Sequence, residues 1–217
     1  MLHFKNVQKY YSSFLALDIP DLSIDEGLWL LQGENGSGKT TFLKMIAGLH
    51  PFSGDIYIAD RYSIKKQRLQ FIRRINYAEA EPLYPPFLTG KDLVTLFCKT
   101  KQGKVEEATE MLEQLHVFDA YKKPLGTYSS GMVKKLSLVL AFIGNPKVIL
   151  LDEPLITIDA SALEVICSII SKKFEEGISF LITSHQKVQG DQLTFTGVLK
   201  ASDQHITFVN DNDGHSI

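Results

Sequence analysis

The sequence has no apolar run approaching the roughly 18 residues that a membrane-crossing helix needs. It also lacks a basic segment and short apolar stretch at its start, so no secretory leader is expected. The chain is therefore expected to cross no bilayer itself, although it could dock on a protein that does. Cysteine is scarce, with only Cys98 and Cys167 in 217 residues. Both fall in apolar, helical-looking patterns. They read as core thiols in a reducing compartment, which excludes a disulfide scaffold and a cysteine metal site. An excess of one charge is missing too. The 23 basic and 25 acidic residues nearly cancel, so direct binding of nucleic acid has no electrostatic basis. No stretch resembles a flexible linker, and residues 1–217 read as one domain large enough to bury its own core.

What the chain does have is concentrated at Gly33 to Thr41, Gly-Glu-Asn-Gly-Ser-Gly-Lys-Thr-Thr. An apolar run, Leu28 to Leu31, precedes it, and a helical pattern from Thr40 to Leu49 follows. The motif G-x-x-x-x-G-K-[ST] between strand and helix is a P-loop. Gly33, Gly36 and Gly38 let the backbone turn tightly, and Glu34, Asn35 and Ser37 between them add N–H groups facing one point. The helix that follows adds the positive end of its dipole. Lys39 supplies a mobile charge for β- and γ-phosphates, and Thr40, followed by Thr41, supplies a hydroxyl for Mg²⁺. The bland alternative is a glycine-rich loop with a solvated lysine.

Along the chain, residues 2–9 read as a strand, and Leu15 to Ile24, interrupted by Pro20, reads as an edge or bulged strand pair. Residues 54–59 read as a strand returning to this early sheet. Residues 60–71 read as a solvated helix or loop, and 72–78 as a strand. Leu83 to Leu88, among Pro82, Pro85 and Pro86, is apolar without a period; it reads as a core plug or a protein-docking patch. Three amphipathic helices are expected next: 90–101 capped by Thr89, 104–115, and one from Ser130 to residue 143. Residues 147–151 and 178–182 are dominated by apolar residues with no polar alternation, which suits central parallel strands. A helix over 161–174, capped at or near Asp159, lies between them. Residues 193–199 and 205–209 suggest a terminal hairpin, and 210–217 a frayed end.

Val148 to Leu151 leads into Asp152-Glu153-Pro154. Two acids at the carboxyl end of a buried parallel strand lie where such sheets bind ligands. Given the P-loop, Asp152 reads as a ligand of Mg²⁺, and Glu153 as the base that polarises water at the γ-phosphate. A surface turn is the alternative. His185 follows the next apolar strand; it reads either as a group facing the γ-phosphate or as a cap of the next segment. Tyr10 and Tyr11 read as turn tyrosines or as a plate for a nucleobase.

Taken together, these segments resemble the ATP-binding subunit of ABC transporters over nearly the whole chain. The resemblance implies an α/β fold: a RecA-like P-loop NTPase core, an antiparallel β-subdomain, and an inserted helical signature subdomain at about 86–143. It implies ATP and Mg²⁺ as ligands and hydrolysis of ATP. Tyr11 matches the residue that stacks on adenine, with Tyr10 as an alternative. Asp152 and Glu153 match the Walker B aspartate and the catalytic glutamate, and His185 the switch histidine. Tyr128-Ser129-Ser130-Gly131-Met132 aligns with the signature Leu-Ser-Gly-Gly-Gln, departing from it at Tyr128 and Ser130. By the resemblance, Ser129 and Gly131 face the ATP held by a second subunit, in a homo- or heterodimer that closes around the nucleotide. The glutamine of the Q-loop maps to Ala80, with Glu79 and Glu81 as neighbours. The expected setting is the cytoplasmic face of a cell membrane, beside an integral transporter subunit. Two other classes share the motifs: a soluble ABC-type ATPase without transport, and a regulatory nucleotide-binding module with weak hydrolysis.

Overall fold

The computed structural model describes residues 1–156, 158–184 and 193–209. The chain begins β1 (Leu2–Tyr11), β2 (Phe14–Ile24), β3 (Leu28–Gln32), α1 (Lys39–Ile46), β4 (Ser53–Ile58), β5 (Tyr62–Ser63), α2 (Arg68–Ile72) and β6 (Ile75–Ala78). It continues α3 (Gly90–Lys101), α4 (Val105–Gln114), α5 (Ser130–Phe142), β7 (Val148–Leu151), α6 (Ala160–Glu175), β8 (Ser179–Ser184), β9 (Gly197–Ser202) and β10 (His205–Phe208).

Among the described residues the strands form two sheets. One is antiparallel, in the order β2-β1-β4-β5; the other runs β10-β9-β3-β8-β7-β6. In the second, every neighbouring pair from β9 to β6 is parallel, and only β10 is antiparallel. Parallel strands buried on both faces carry apolar side chains at every position. Here the pleat divides them between two cores. Ile149, Leu151, Phe180 and Ile182 pack on the side of the helices α3 to α6. Val148, Leu150 and Leu181 pack on the other side with α1 and the antiparallel sheet. Full burial of each such side chain contributes roughly 1.5–3 kcal/mol. Continuing this alternation assigns Asp152 to the face that carries α1.

Helix ends follow local chemistry. Thr89 closes a capping box on α3: its Oγ1 accepts from Asp92 N at 3.1 Å, and its N–H donates to Asp92 Oδ2 at 2.9 Å. Asp159 caps α6 by accepting from Ala162 N at 2.9 Å. Both caps are as the sequence suggests. Cys98 and Cys167 are buried thiols, also as expected.

Several boundaries differ from the sequence reading. Residues 14–24 form the single strand β2 rather than a pair. β2 is an outer strand, so the missing N–H of Pro20 costs no ladder bond. The pairing runs Lys5 to Asp21 and Val7 to Ile19, stepping over Pro20 and Asn6, and Asn6 adopts φ 50°. Tyr10 and Tyr11 are the last residues of β1, not a turn, and pair with Leu15 and Phe14 across a bulge. Ile72 ends α2, and the strand starts at Ile75, because the apolar run is shared by two elements that both face the α1-side core. The first strand of the terminal hairpin starts at Gly197, not Leu193. It lies parallel to β3 with Gly197 opposite Trp29, where a Cβ would come within 2.6 Å of the indole ring. Leu193 is instead buried in the helix-side core.

Candidate functional site

β3 delivers the chain to the P-loop at the carboxyl edge of the parallel sheet, and α1 leaves from it. Gly38 precedes the helix at φ 101°, a conformation that disfavours residues with a Cβ. Lys39 is buried, and its Nζ donates to the carbonyls of Gly33 at 2.7 Å and Glu34 at 3.0 Å. The ammonium is thus folded back on its own loop. Ser37 Oγ is buried with no protein partner.

A cavity of about 420 Å³ opens against this loop, lined by Asn35, Gly36, Gly38, Lys39, Thr40, Thr41, Ala80, Glu81, Glu153 and Ile156. The structure therefore brings together most of the P-loop and Glu153, which are more than a hundred positions apart. Gly33 and Glu34 contribute through the carbonyls that hold Lys39. Asp152 stands behind the lining, 1% exposed. Its Oδ1 accepts from Thr183 Oγ1 at 2.7 Å and its Oδ2 from Tyr77 OH at 3.4 Å. Burial, then the charge of Asp152, raises the Tyr77 pKa and keeps that phenol a donor. A carboxylate has about four lone-pair sites, so acceptor capacity remains on Asp152. Thr183 Oγ1 also accepts from the N–H of Glu153 at 2.8 Å. One hydroxyl so fixes both acids. Glu153 has φ 47°, a left-handed backbone that costs a side-chain-bearing residue on the order of 1–3 kcal/mol. The Thr183 bond helps hold it there.

Oxygen donors from Thr40 and Asp152 suit a hard cation such as Mg²⁺. Among the described residues no cluster of three or more His, Cys, Asp or Glu could hold an ion alone. A metal here would take its other ligands from phosphate and water.

Tyr11 lies at the rim. Its OH is 3.3 Å from Thr41 Oγ1 and 2.9 Å from His50 Nδ1, and Lys9 Nζ lies 4.5 Å from its ring centroid. Burial, then Lys9 and Lys44, depresses the pKa of His50. Tyr11 as a whole remains 42% exposed. Tyr11 is thus tied to the P-loop helix, whereas no comparable link is seen for Tyr10. Ser129 and Gly131 do not line the cavity. Ser129 caps α5, its Oγ accepting from Met132 N at 3.2 Å. His185 lies outside the described residues. The Q-loop acids divide: Glu79 pairs with Lys44 at 3.2 Å, while Glu81 lines the cavity beside Ala80.

Thr183, Tyr77 and Lys134 were missed from sequence. Lys134 is 3% exposed and its Nζ donates to three backbone carbonyls, of Ala80, Glu79 and Asp152. Burial brings its pKa down to about 8 against the opposing charges of Asp152, Glu153 and Glu81. For Thr183 a signal existed, since it directly follows the apolar run that closes at Ile182 as Asp152 follows the one that closes at Leu151. Lys135, the next residue, pairs with the α6 cap Asp159 at 2.7 Å. That ion pair, followed by the bonds from Ser161 and Ala162, holds the Asp159 carboxyl well below the usual range.

Comparison with known proteins agrees with this geometry. The family model described as ABC transporter matches residues 17–156. ATP-binding cassette sub-family A member 2 of Homo sapiens is 30% identical over 204 residues, 89% of this chain and 8% of that protein. The ABC transporter ATP-binding protein YhcH of Bacillus subtilis is 31% identical over 189 residues, 85% of this chain and 62% of its own length. The chain thus spans less than two thirds of both. An ATP-binding cassette solved as a dimer in a post-hydrolysis state, bound to ADP and Pi, superimposes with a TM-score of 0.80 at 22% identity. That match covers 95% of this chain and 96% of the other; at this identity it shows the fold.

Proposed function

This chain belongs to the ABC transporter family and carries its ATP-binding domain, and on that premise we propose that it hydrolyses ATP to drive a membrane transporter through closure of a dimer. The observation that carries this reading is the shared cavity of the P-loop and Glu153, with Asp152 fixed behind it by Thr183. We read residues 1–217 as one such domain, its helical insert spanning about 86–143.

The residues act as follows. Lys39 leaves the carbonyls of Gly33 and Glu34 and turns to the β- and γ-phosphates, where its charge stabilises the transferring phosphoryl group. The N–H groups of residues 33–41 and the start of α1 bind the phosphate oxygens. Thr40 and Asp152 hold Mg²⁺, which when bound neutralises charge building on the phosphates. Glu153 orients and polarises the attacking water. Tyr11 offers its ring to adenine, and His185 contacts the γ-phosphate. Ser129 and Gly131 lie off the cavity, and they complete the site of a second ATP-binding subunit. A protein with this fold was solved as a dimer, which supports a second ATP-binding subunit as partner.

The membrane partner is read from the surface. Leu83 is 93% and Phe87 76% exposed, a display of apolar area that favours a docking role over a core plug. Beside them a groove of about 260 Å³ is lined by Ala47, Leu49, Ile72, Leu83, Tyr84 and Phe97 among others. On the family match we place the chain peripherally on the cytoplasmic face, held by an integral subunit; among the described residues no helix is long and apolar enough to cross a membrane. Ala80 favours a second reading, a regulatory module with weak turnover, because it presents no polar group to metal or water.

Glu153→Gln separates the two. If Glu153 is the base, turnover of MgATP falls by roughly 100-fold or more, and ATP then holds the variant as a dimer on size exclusion. Unchanged hydrolysis removes Glu153 from the mechanism. Turnover already near zero in the wild-type chain favours the regulatory reading.

A further inference from the structure

α5 begins at the Ser129 cap and carries Lys134 on its second turn, turned away from solvent. Nζ donates to Ala80 O at 2.7 Å, to Glu79 O at 3.2 Å and to Asp152 O at 3.2 Å. An ammonium has three protons, and three carbonyls accept them. The acceptors lie where β6 and β7 part. Asp152 N still donates to Ala78 O at 3.0 Å, but residues 79 and 80 turn away into the proline-rich loop. Carbonyls at such a strand end have lost their ladder partners, and burial makes an unpaired one costly. One side chain therefore joins three pieces of backbone. They are the helix that bears the signature segment, the loop whose Ala80 and Glu81 line the cavity, and the strand end that leads to Glu153. The methyl of Ala80 can make no polar link from that loop, whereas its carbonyl is joined through Lys134 to the backbone of Asp152.

We propose that Lys134 is a positioning residue: it ties the 79–81 loop and the Asp152-Glu153 corner to the signature helix, so that movement of that helix reaches Glu153 through backbone. It supplies the coupling that the side chain at position 80 does not. This rests on the ATPase reading above.

The test uses the full chain with Lys134→Met and Lys134→Arg, and three readouts: MgATP turnover, affinity for a fluorescent ATP analogue, and amide exchange without nucleotide. With Lys134→Met, kcat should fall about tenfold or more while nucleotide affinity changes by less than about threefold, because the lysine touches no P-loop residue. Exchange should quicken at residues 79–81 and stay as it was at 36–41. Lys134→Arg should recover part of kcat. A kcat within about twofold of wild type overturns the proposal, as does an equal loss of turnover and nucleotide affinity. So does unchanged exchange at 79–81. If the methionine variant does not fold, Lys134→Gln, neutral but still a donor, is judged by the same outcomes. A wild-type chain that binds ATP without hydrolysing it refutes the ATPase reading instead, and the exchange at 79–81 then decides the role of Lys134 alone.

Discussion

Thr183 shows how much one hydroxyl can organise. It donates to Asp152 and accepts from the N–H of Glu153, so the carboxylate expected at the metal and the carboxylate expected at the water share one anchor. Glu153 adopts a left-handed backbone that a side chain disfavours, and this anchor opposes its relaxation. Thr183→Val keeps the shape and removes both bonds. A hydrogen bond to a charged group is worth roughly 1.5–3 kcal/mol, so turnover should drop by about 10- to 100-fold. Thr183→Ser, which keeps the hydroxyl, should stay within about threefold of wild type. Steady-state hydrolysis by the two variants checks this, and a valine variant with wild-type kcat would remove Thr183 from the site.

Among the elements, α3 and α5 use the same device for different ends. Each sends a lysine, buried in α5 and half-buried in α3, to strand-end or helix-end carbonyls. In α3 it is Lys101, whose Nζ donates to Ile72 O at 2.9 Å and Ile75 O at 2.7 Å, clamping the end of α2 to the start of β6. Burial brings the Lys101 pKa down to about 8. The unfolded chain holds that proton up to the ordinary lysine range near 10.4, so between about pH 8 and pH 10 it binds more protons than the fold does. Stability from this group therefore rises with pH across that window, and the burial cost is present in full below it. Wild type should gain stability relative to Lys101→Met as pH rises from about 8 to about 10. Urea unfolding of both chains at several pH values measures the difference, and a gap that is flat or narrows with pH would contradict it.

At the scale of the molecule, two cores on opposite faces of one parallel sheet hold the P-loop and the acidic pair at a common edge. The fold leaves Ser129 and Gly131 away from that cavity, which is why a second subunit enters the proposal. It also leaves Leu83 and Phe87 outside both cores. Surface side chains of this kind can be replaced at a cost within about 0.5 kcal/mol. Leu83→Ser combined with Phe87→Ser should keep the thermal stability of the chain and greatly reduce its recovery on native membranes in a sedimentation assay. Undiminished recovery would reject this patch as the docking surface.

The sequence by itself determined the phosphate loop, the central strands, the acidic pair, and the caps at Thr89 and Asp159. Each of these rests on neighbours in the chain: glycine conformations, an apolar run, or a side chain reaching a backbone N–H three residues on. The sequence also misplaced the strand ends near Pro20, Ile72 and Leu193, since pairing across a sheet sets where a strand stops. Only the tertiary structure decided which groups meet. Thr183 is 31 positions from Asp152, Tyr77 is 75, and Lys134 is 54 from Ala80. No periodicity encodes such distances. They arise because a parallel sheet aligns the carboxyl ends of strands distant in sequence along one edge, where unpaired carbonyls and carboxylates must find donors.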